Sequence, residues 1–260
     1  MTLEPDGADP VAAELATSRI ERLHALELTP RRAELHRLAA ANRAVIERLV
    51  CTTATEEQLA EAADALEAVA ELLGAMPSGQ SYEGFSEAAN AGAAITEQAR
   101  ALVAGEFRST ESEAFAFFDH SPFIGPANPL SPPIDLQYRE DRVEGTVTFG
   151  AAYEGPPGCV HGGYVAAAFD ELLGATQSLS GSAGMTARLI VNYRSPTPLR
   201  TELRLEGEFA GRDGRKITTV GRIFAGDTLC AEAEGLFISM EGERFRALLE
   251  ARGARMEGGS

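Results

Sequence analysis

Residues 158–174 read GCVHGGYVAAAFDELLG, and this stretch decides the fold. A histidine and two glycines precede a run whose apolar residues occupy most of the circumference of a helix, which is typical of a buried helix. Asp170 interrupts that run, although an unpaired buried carboxylate is energetically costly. Three interpretations are open for Asp170: a carboxylate on a solvated face beside Glu171, a partner of an arginine, or a functional acid.

After about residue 130 the hydrophobic pattern changes to a period of two, which indicates strands. Turns at Asp213-Gly214 and Gly226-Asp227 favour hairpins between the last three strands. Because the helix 161–177 lies between early strands and this meander, the order predicts an α+β fold with an antiparallel sheet wrapped around one helix. The predicted strands are RVEGTVTFG (142–150), MTARLIVNYR (185–194), LRTELRLEGEF (199–209), KITTVGRIFAG (216–226) and DTLCAEAEGLFISM (227–240).

The first half of the chain has helical patterns. Thr29-Pro30 is a helix start, since Thr caps well and Pro suits the first helical position. A capping box at 55–58 begins a second helix, and weaker patterns cover 10–27 and 86–105. The two stronger helices each carry one apolar stripe, which must pack on another element, a sheet or a partner chain.

These patterns predict three parts of the chain. A helical N-terminal extension with its linker covers 1–129, the sheet-and-helix domain covers 130–240, and a C-terminal tail covers 241–260.

Composition excludes several classes of function. The net charge of −16 disfavours a broad nucleic-acid-binding surface. No segment approaches the roughly 18 apolar residues of a membrane span, and the acidic N-terminus lacks a signal pattern, so a cytoplasmic protein is expected. The three cysteines are far apart without metal-ligand spacing, which favours reduced thiols and no metal. Cys159 lies two residues before His161, so a Cys–His nucleophile remains an open alternative.

Gly162 and Gly163 lie at the start of the predicted helix. Glycines let a ligand approach the backbone, and the free N–H groups there carry the positive end of the helix dipole, which suits a developing oxyanion. Gly163 and Asp170 are two turns apart on one side of the helix, roughly 10 Å along its axis. A thioester there could present its carbonyl oxygen to the amide and its carbonyl carbon, or a water, to the carboxylate. A plain tight turn and helix capping by His161 are the alternatives.

Three segments together resemble the hotdog-fold thioesterases of the PaaI-like superfamily: GPPGCVHGGYVAAAFDELLG (155–174), TARLIVNYRSPTPL (186–199) and AEAEGLFI (231–238). The resemblance is closest to the branch with the motif HGG, an Asp nine residues after the His, and a Thr sixteen residues after that Asp. His161, Asp170 and Thr186 keep both spacings. The similarity covers about 140–240 and does not extend to 1–129.

The resemblance implies a hotdog fold, a homodimer or a dimer of dimers joined edge to edge, and an active site across the dimer interface. It implies hydrolysis of acyl-CoA to free acid and CoA without metal or organic cofactor. Asp170 would act as nucleophile or general base, and Thr186 from the neighbouring subunit would position the water or the carboxylate. The amide of Gly163, alone or together with that of Gly162, would polarise the thioester carbonyl, and His161 would order the helix start and contact the substrate.

Two alternatives remain beside hydrolysis: a hotdog protein that binds acyl-CoA or an acyl ligand without cleaving it, and a scaffold whose N-terminal helices act through a partner. A hotdog dehydratase is disfavoured, because no histidine follows Asp170. The sequence also departs from several relatives, which carry an Asn about six residues before the His. That position is Gly155 here, so the role of the Asn is absent or served differently.

Coenzyme A is polyanionic, so an acidic protein must offer it local cations. Strand alternation predicts that Thr186 shares a face with Arg188 and Asn192, and the chain's single lysine lies at a hairpin tip. Solvated surface charges are the alternative interpretation. The candidate substrate-binding residues are Gly162, Arg188, Asn192, Arg194, Arg212, Arg215 and Lys216.

Overall fold

A computed structural model describes residues 30–76 and 120–239, apart from 133, 140 and 183. Four predicted features lie outside these residues: the helical patterns at 10–27 and 86–105, the cap residue Thr29 and the tail 241–260. Short 3-10 helices cover Ala151–Tyr153 and Ser178–Ser180. The main elements are α1 (Pro30–Cys51), α2 (Glu56–Gly74), β1 (Asp135–Tyr138), β2 (Arg142–Thr148), α3 (Gly162–Gln177), β3 (Gly184–Tyr193), β4 (Glu202–Asp213), β5 (Lys216–Ala225) and β6 (Thr228–Ser239).

The six strands form one antiparallel sheet in the order β1-β2-β4-β5-β6-β3. Both predicted hairpin turns are confirmed: Gly214 and Gly226 have φ values of 56° and 55°, a region that glycine enters without steric cost. The sheet wraps around α3, as the sequence predicted, and this arrangement is the hotdog fold. The strand β1 was not predicted.

Glycines bring the sheet unusually close to α3. Gly207, Gly221 and Gly235 lie on the neighbouring strands β4, β5 and β6 and face buried side chains of the helix, Leu172 and Leu173 among them. A Cβ atom at position 207 would lie 2.2 Å from the Thr176 hydroxyl oxygen. The absence of side chains at these positions therefore sets the depth at which the helix sits.

The helix α1 packs on the hotdog elements mainly through polar groups. Its predicted apolar stripe is used in part, because Ala39 is buried and Ile46 is half-buried but Leu49 and Val50 are 59% and 55% exposed. Instead, Arg43 donates to the carbonyl oxygens of residues 126 and 128 at 3.1 and 2.8 Å. Glu47 accepts from the amides of residues 151 and 152 at 3.0 and 3.2 Å, and its carboxylate lies 3.2 Å from the guanidinium of residue 200.

The helix α2 begins with the predicted capping box. Thr55 and Gln58 exchange side-chain and backbone hydrogen bonds, which confirms that prediction. No residue of α2 is buried, so its apolar stripe does not pack against the parts of the chain that the structure describes. Among those same parts, no helix combines the length and apolar character that crossing a bilayer requires.

Substitution Glu47→Gln is expected to weaken the packing of α1 on the hotdog elements. The amide of Ala151 lowers the pKa of the Glu47 carboxyl most strongly, and Ala152 and Arg200 add to this against the opposing effect of burial. A depressed folded-state pKa means that the carboxylate stabilises packing above its unfolded-state pKa, and that this contribution is lost as pH falls through the folded-state pKa. Hydrogen exchange should show faster exchange of α1 amides in Glu47→Gln at neutral pH. Glu34→Gln, which removes an exposed carboxylate from the same helix, is the control and should leave exchange unchanged; equal rates in both variants would contradict the anchoring role.

Candidate active site

The predicted site residues Asp170 and Thr186 are in contact in the structure. Asp170 lies half-buried on α3, and Thr186 lies on β3. The Thr186 hydroxyl donates to Oδ1 of Asp170 at 3.0 Å. Both residues belong to one chain, which corrects the expectation that Thr186 reaches the carboxylate from a neighbouring subunit.

A β-bulge aims Thr186 at the helix. Thr186 pairs with Phe237 on β6, but Arg188 pairs with the adjacent Leu236, so Ala187 is an extra residue. A bulge changes which side chains share a face on its two sides. Thr186 therefore lies on the helix-facing side with buried Phe237, whereas Arg188 lies on the outer side. The prediction that Thr186 shares a face with Arg188 and Asn192 is wrong, because strict alternation does not hold across the bulge.

Burial and the hydrogen bond from Thr186 shift the pKa of the Asp170 carboxyl group in opposite directions. Burial raises the pKa of Asp170 above its ordinary value, because the charged form loses solvation. The hydrogen bond from Thr186 lowers the pKa and offsets part of this effect. A carboxyl group with a raised pKa is a stronger base when it is ionised, and in that form it can accept a proton from water or attack an electrophile.

The start of α3 is held by three local hydrogen bonds. His161 is the N-cap: its Nδ1 accepts from the amide of Gly163 at 3.0 Å, and its own amide donates to the Tyr153 carbonyl at 2.8 Å. Tyr193 donates its hydroxyl to the Gly162 carbonyl at 2.8 Å. The amide that the sequence suggests as an oxyanion donor is therefore bound to the imidazole in this conformation, as in the capping interpretation of His161.

Comparison with known proteins identifies the family. The search against family models found no match. A crystal structure described as a thioesterase superfamily protein is 35% identical, with a TM-score of 0.63 over 78% of this chain and 94% of the other. The chain belongs to the thioesterase superfamily.

Curated relatives agree over a shorter region. The bovine (Bos taurus) protein named Acyl-coenzyme A thioesterase THEM4 is 36% identical over 97 residues, which are 36% of this chain and 40% of the relative. The Xenopus laevis protein of the same name is 37% identical over 93 residues, which are 35% of this chain and 42% of the relative. The chain thus matches about two fifths of the length of these two relatives.

In this thioesterase superfamily member, Tyr193 is a site residue that the sequence reasoning missed. The alternating pattern placed it among apolar residues of one face, and the structure keeps it on the helix-facing side, where its hydroxyl reaches the start of α3. A Cβ atom at position 162 would lie 3.3 Å from that hydroxyl oxygen, so Gly162 leaves room for it. The position of Tyr193 inside the segment that resembles other thioesterases was the available signal.

The departure at position 155 has a steric cause. A Cβ atom on Gly155 would lie 2.7 Å from the Cα atom of His161, and the Gly155 amide donates to the Cys159 carbonyl at 2.9 Å. An asparagine at this position would push against the backbone of the N-cap residue. The loop before α3 in this superfamily member is therefore built around a glycine.

The predicted substrate-binding residues other than Gly162 fall into two groups. On the outer face, Arg188 and Arg194 each hydrogen-bond to a glutamate of β6 at 3.0 and 3.1 Å, and Asn192 lies beside them, so these three are not brought to Asp170. The second group lies at the β4–β5 hairpin. There Arg212 binds the Gly214 carbonyl and the Ser182 hydroxyl, Arg215 binds the Ser239 carbonyl, and Lys216 is exposed.

Proposed function

We propose that this protein is an acyl-CoA thioesterase of the PaaI-like type, which hydrolyses the thioester to free acid and CoA. The observation that carries the proposal is the hydrogen bond from Thr186 to the half-buried Asp170, whose pKa burial raises. The membership in the thioesterase superfamily and the partial matches to proteins named acyl-coenzyme A thioesterase support the same reaction class.

In the proposed reaction, ionised Asp170 either removes a proton from the attacking water or itself attacks the carbonyl carbon. The C–S bond then breaks, and the CoA thiolate takes up a proton, from Asp170 in the general-base route and from solvent in the nucleophilic route. In the nucleophilic route water then hydrolyses the anhydride, which releases the free acid and restores Asp170. Thr186 holds the carboxylate in one orientation. The substrate carbonyl oxygen replaces His161 Nδ1 as acceptor of the Gly163 amide, at the positive end of the α3 dipole.

A second copy of the chain is proposed to complete the site. In the described sheet β3 is an edge strand, and its unpaired backbone groups are a template for pairing with another strand. Thr186 and Tyr193 both lie on this strand, so a dimer formed through β3 would place the carboxylate and the α3 start beside the interface. We propose the hairpin cations Arg212, Arg215 and Lys216 as the CoA phosphate site.

A thiol-release assay tests the function. The purified full chain should release CoA thiol from at least one member of a series from acetyl-CoA to palmitoyl-CoA, with one acid formed for each thiol. The engaged Gly163 amide is the observation that favours the non-catalytic alternative. Binding of acyl-CoA by calorimetry without thiol release across the series would support that alternative and reject hydrolysis.

Substitution Thr186→Val tests the positioning of the carboxylate. Removing the hydroxyl removes an interaction that lowers the pKa of Asp170, so the pKa should rise further. Because Asp170 must be ionised to react, the acid limb of the profile of kcat/KM against pH should move to higher pH. At its optimum kcat should fall about tenfold, since a hydrogen bond to a charged group contributes about 1.5–3 kcal/mol. Thr146→Val, an exposed substitution on β2, is the matched control; identical acid limbs in both variants would reject the positioning role.

A further inference from the structure

A cavity of about 180 Å³ lies between α1 and the start of α3. Its walls come from α1, from residues 129–132 and from the segment before α3. Apolar and aromatic groups form most of the wall, with Ile46, Leu130, Tyr153 and Tyr164 as the largest uncharged contributors. The cavity therefore has the lining of a site for an apolar group.

This cavity lies beside the first turn of α3, where the candidate active site begins. Tyr164 follows Gly163 directly in the chain, and its ring packs edge to face on Tyr153 with 4.8 Å between ring centroids. The Tyr153 carbonyl in turn accepts the amide of His161. A group bound against these two rings lies next to the helix turn at which we place the thioester carbonyl.

The charged residues of α1 hold the cavity together rather than offering it a charge. Arg43 directs its guanidinium to the carbonyls of residues 126 and 128, and Glu47 directs its carboxylate to two amides and to Arg200. Both bridge α1 to segments that also line the cavity. The position of the cavity wall therefore depends on these hydrogen bonds. Because both charged groups are already paired, the cavity has to recognise its occupant by shape and by apolar contact.

We propose that this cavity binds the distal end of a short apolar acyl group, so that α1 sets the acyl preference; the inference rests on the thioesterase function proposed above. An apolar cavity of about 150 Å³ accepts benzene, so 180 Å³ suits a group of about six carbon atoms. Ile46 is the aliphatic side chain that α1 contributes to the cavity wall. The specificity-determining residue is therefore in the N-terminal extension and not in the hotdog elements.

Two substitutions at one position test the proposal. The measurement is kcat/KM for acetyl-, hexanoyl- and decanoyl-CoA, expressed as ratios within each variant so that a change in active fraction cancels. Ile46→Phe fills the cavity and should lower the hexanoyl-to-acetyl ratio at least tenfold. Ile46→Ala enlarges it and should raise the decanoyl-to-hexanoyl ratio. Leu49→Ala, an exposed position on α1 two residues after Glu47, is the control and should keep the wild-type ratios.

The outcomes separate the two proposals. Opposite shifts of the ratios in Ile46→Phe and Ile46→Ala, with none in Leu49→Ala, support the acyl site. Turnover with wild-type ratios in both Ile46 variants overturns the acyl site but leaves the thioesterase function standing. A wild-type chain that cleaves none of the three thioesters, and none of the longer series, overturns the function and the acyl site with it.

Discussion

Substitution Asp170→Asn is expected to lower kcat for acyl-CoA hydrolysis by about 10³-fold, because general-base catalysis contributes about 10²–10⁴-fold. Asparagine has nearly the same shape, and its carbonyl oxygen can still accept the hydrogen bond from Thr186. The loss would therefore report the missing charge and not a displaced helix. The measurement is steady-state thiol release at saturating substrate, with exposed Asp227→Asn as the matched control.

The stability of the same variant should move in the opposite direction. Burial raises the folded-state pKa of Asp170 above its unfolded-state value, so the native chain binds more protons between these two values and its stability falls as pH rises through that window. Asparagine removes this cost, and the Tm of Asp170→Asn at pH 7 should equal or exceed that of the wild type. Below the unfolded-state pKa the advantage should vanish. A variant that keeps a third of kcat, or one whose Tm falls together with its activity, would contradict the role of Asp170.

Isotope labelling tests whether Asp170 acts as a nucleophile. In a single turnover in H₂¹⁸O, a general base gives product acid labelled by the solvent, and the protein stays unlabelled. A nucleophile forms an anhydride, and water attack at the carboxyl carbon of Asp170 would leave ¹⁸O in that side chain. Label in the peptide containing Asp170, detected by mass spectrometry, identifies the nucleophilic route. An unlabelled peptide is expected both for the general base and for water attack at the acyl carbon of the anhydride.

Substitution Gly207→Ala is expected to lower the free energy of unfolding by about 2–3 kcal/mol, since overpacking a tight core typically costs about 1–3 kcal/mol. The added Cβ atom would lie 2.2 Å from the Thr176 hydroxyl oxygen and 3.2 Å from Leu172 Cγ. The sign is informative, because alanine elsewhere in a strand is no worse than glycine. Urea denaturation with a two-state fit measures the change.

Two further variants isolate the cause. Thr176→Ala removes the hydroxyl that would clash, so the double variant Gly207→Ala/Thr176→Ala should recover more than half of the loss, as a coupling energy in a double-mutant cycle. Gly74→Ala is the control, because a Cβ atom at the end of α2 meets nothing within 4 Å. If Gly207→Ala is as stable as Gly74→Ala, the helix does not lie as close to the sheet as described.

The sequence predicted those helices, caps and turns whose structure depends on residues close together in the chain. The apolar circumference of α3, the capping box at Thr55 and the glycines at positions 214 and 226 each act within a few residues, and each is confirmed. The packing of α1 was not predictable in this way. Arg43 and Glu47 bind main-chain groups about 80 to 105 positions away, and hydrophobic periodicity does not report on such contacts.

The candidate site was predictable in part. The spacing of His161, Asp170 and Thr186 identified the residues through their resemblance to a family, and the structure brings the last two together. The face of Thr186 was predicted wrongly, because an alternating pattern carries no record of a bulge at Ala187. Tyr193 was missed because its apolar ring satisfies the pattern while its hydroxyl binds Gly162.

The bulge also bears on how related genes are recognised. A chain without the extra Ala187 would have a regular strand there, and its threonine would still point at the carboxylate 16 residues earlier in the chain. The tyrosine at the end of the strand would then follow that threonine at a separation one residue shorter than the seven found between Thr186 and Tyr193. Counting positions between the threonine and the tyrosine would then discard a homologue whose chemistry is intact. An insertion or deletion at this point is better judged by which face the threonine occupies than by the number of letters in between.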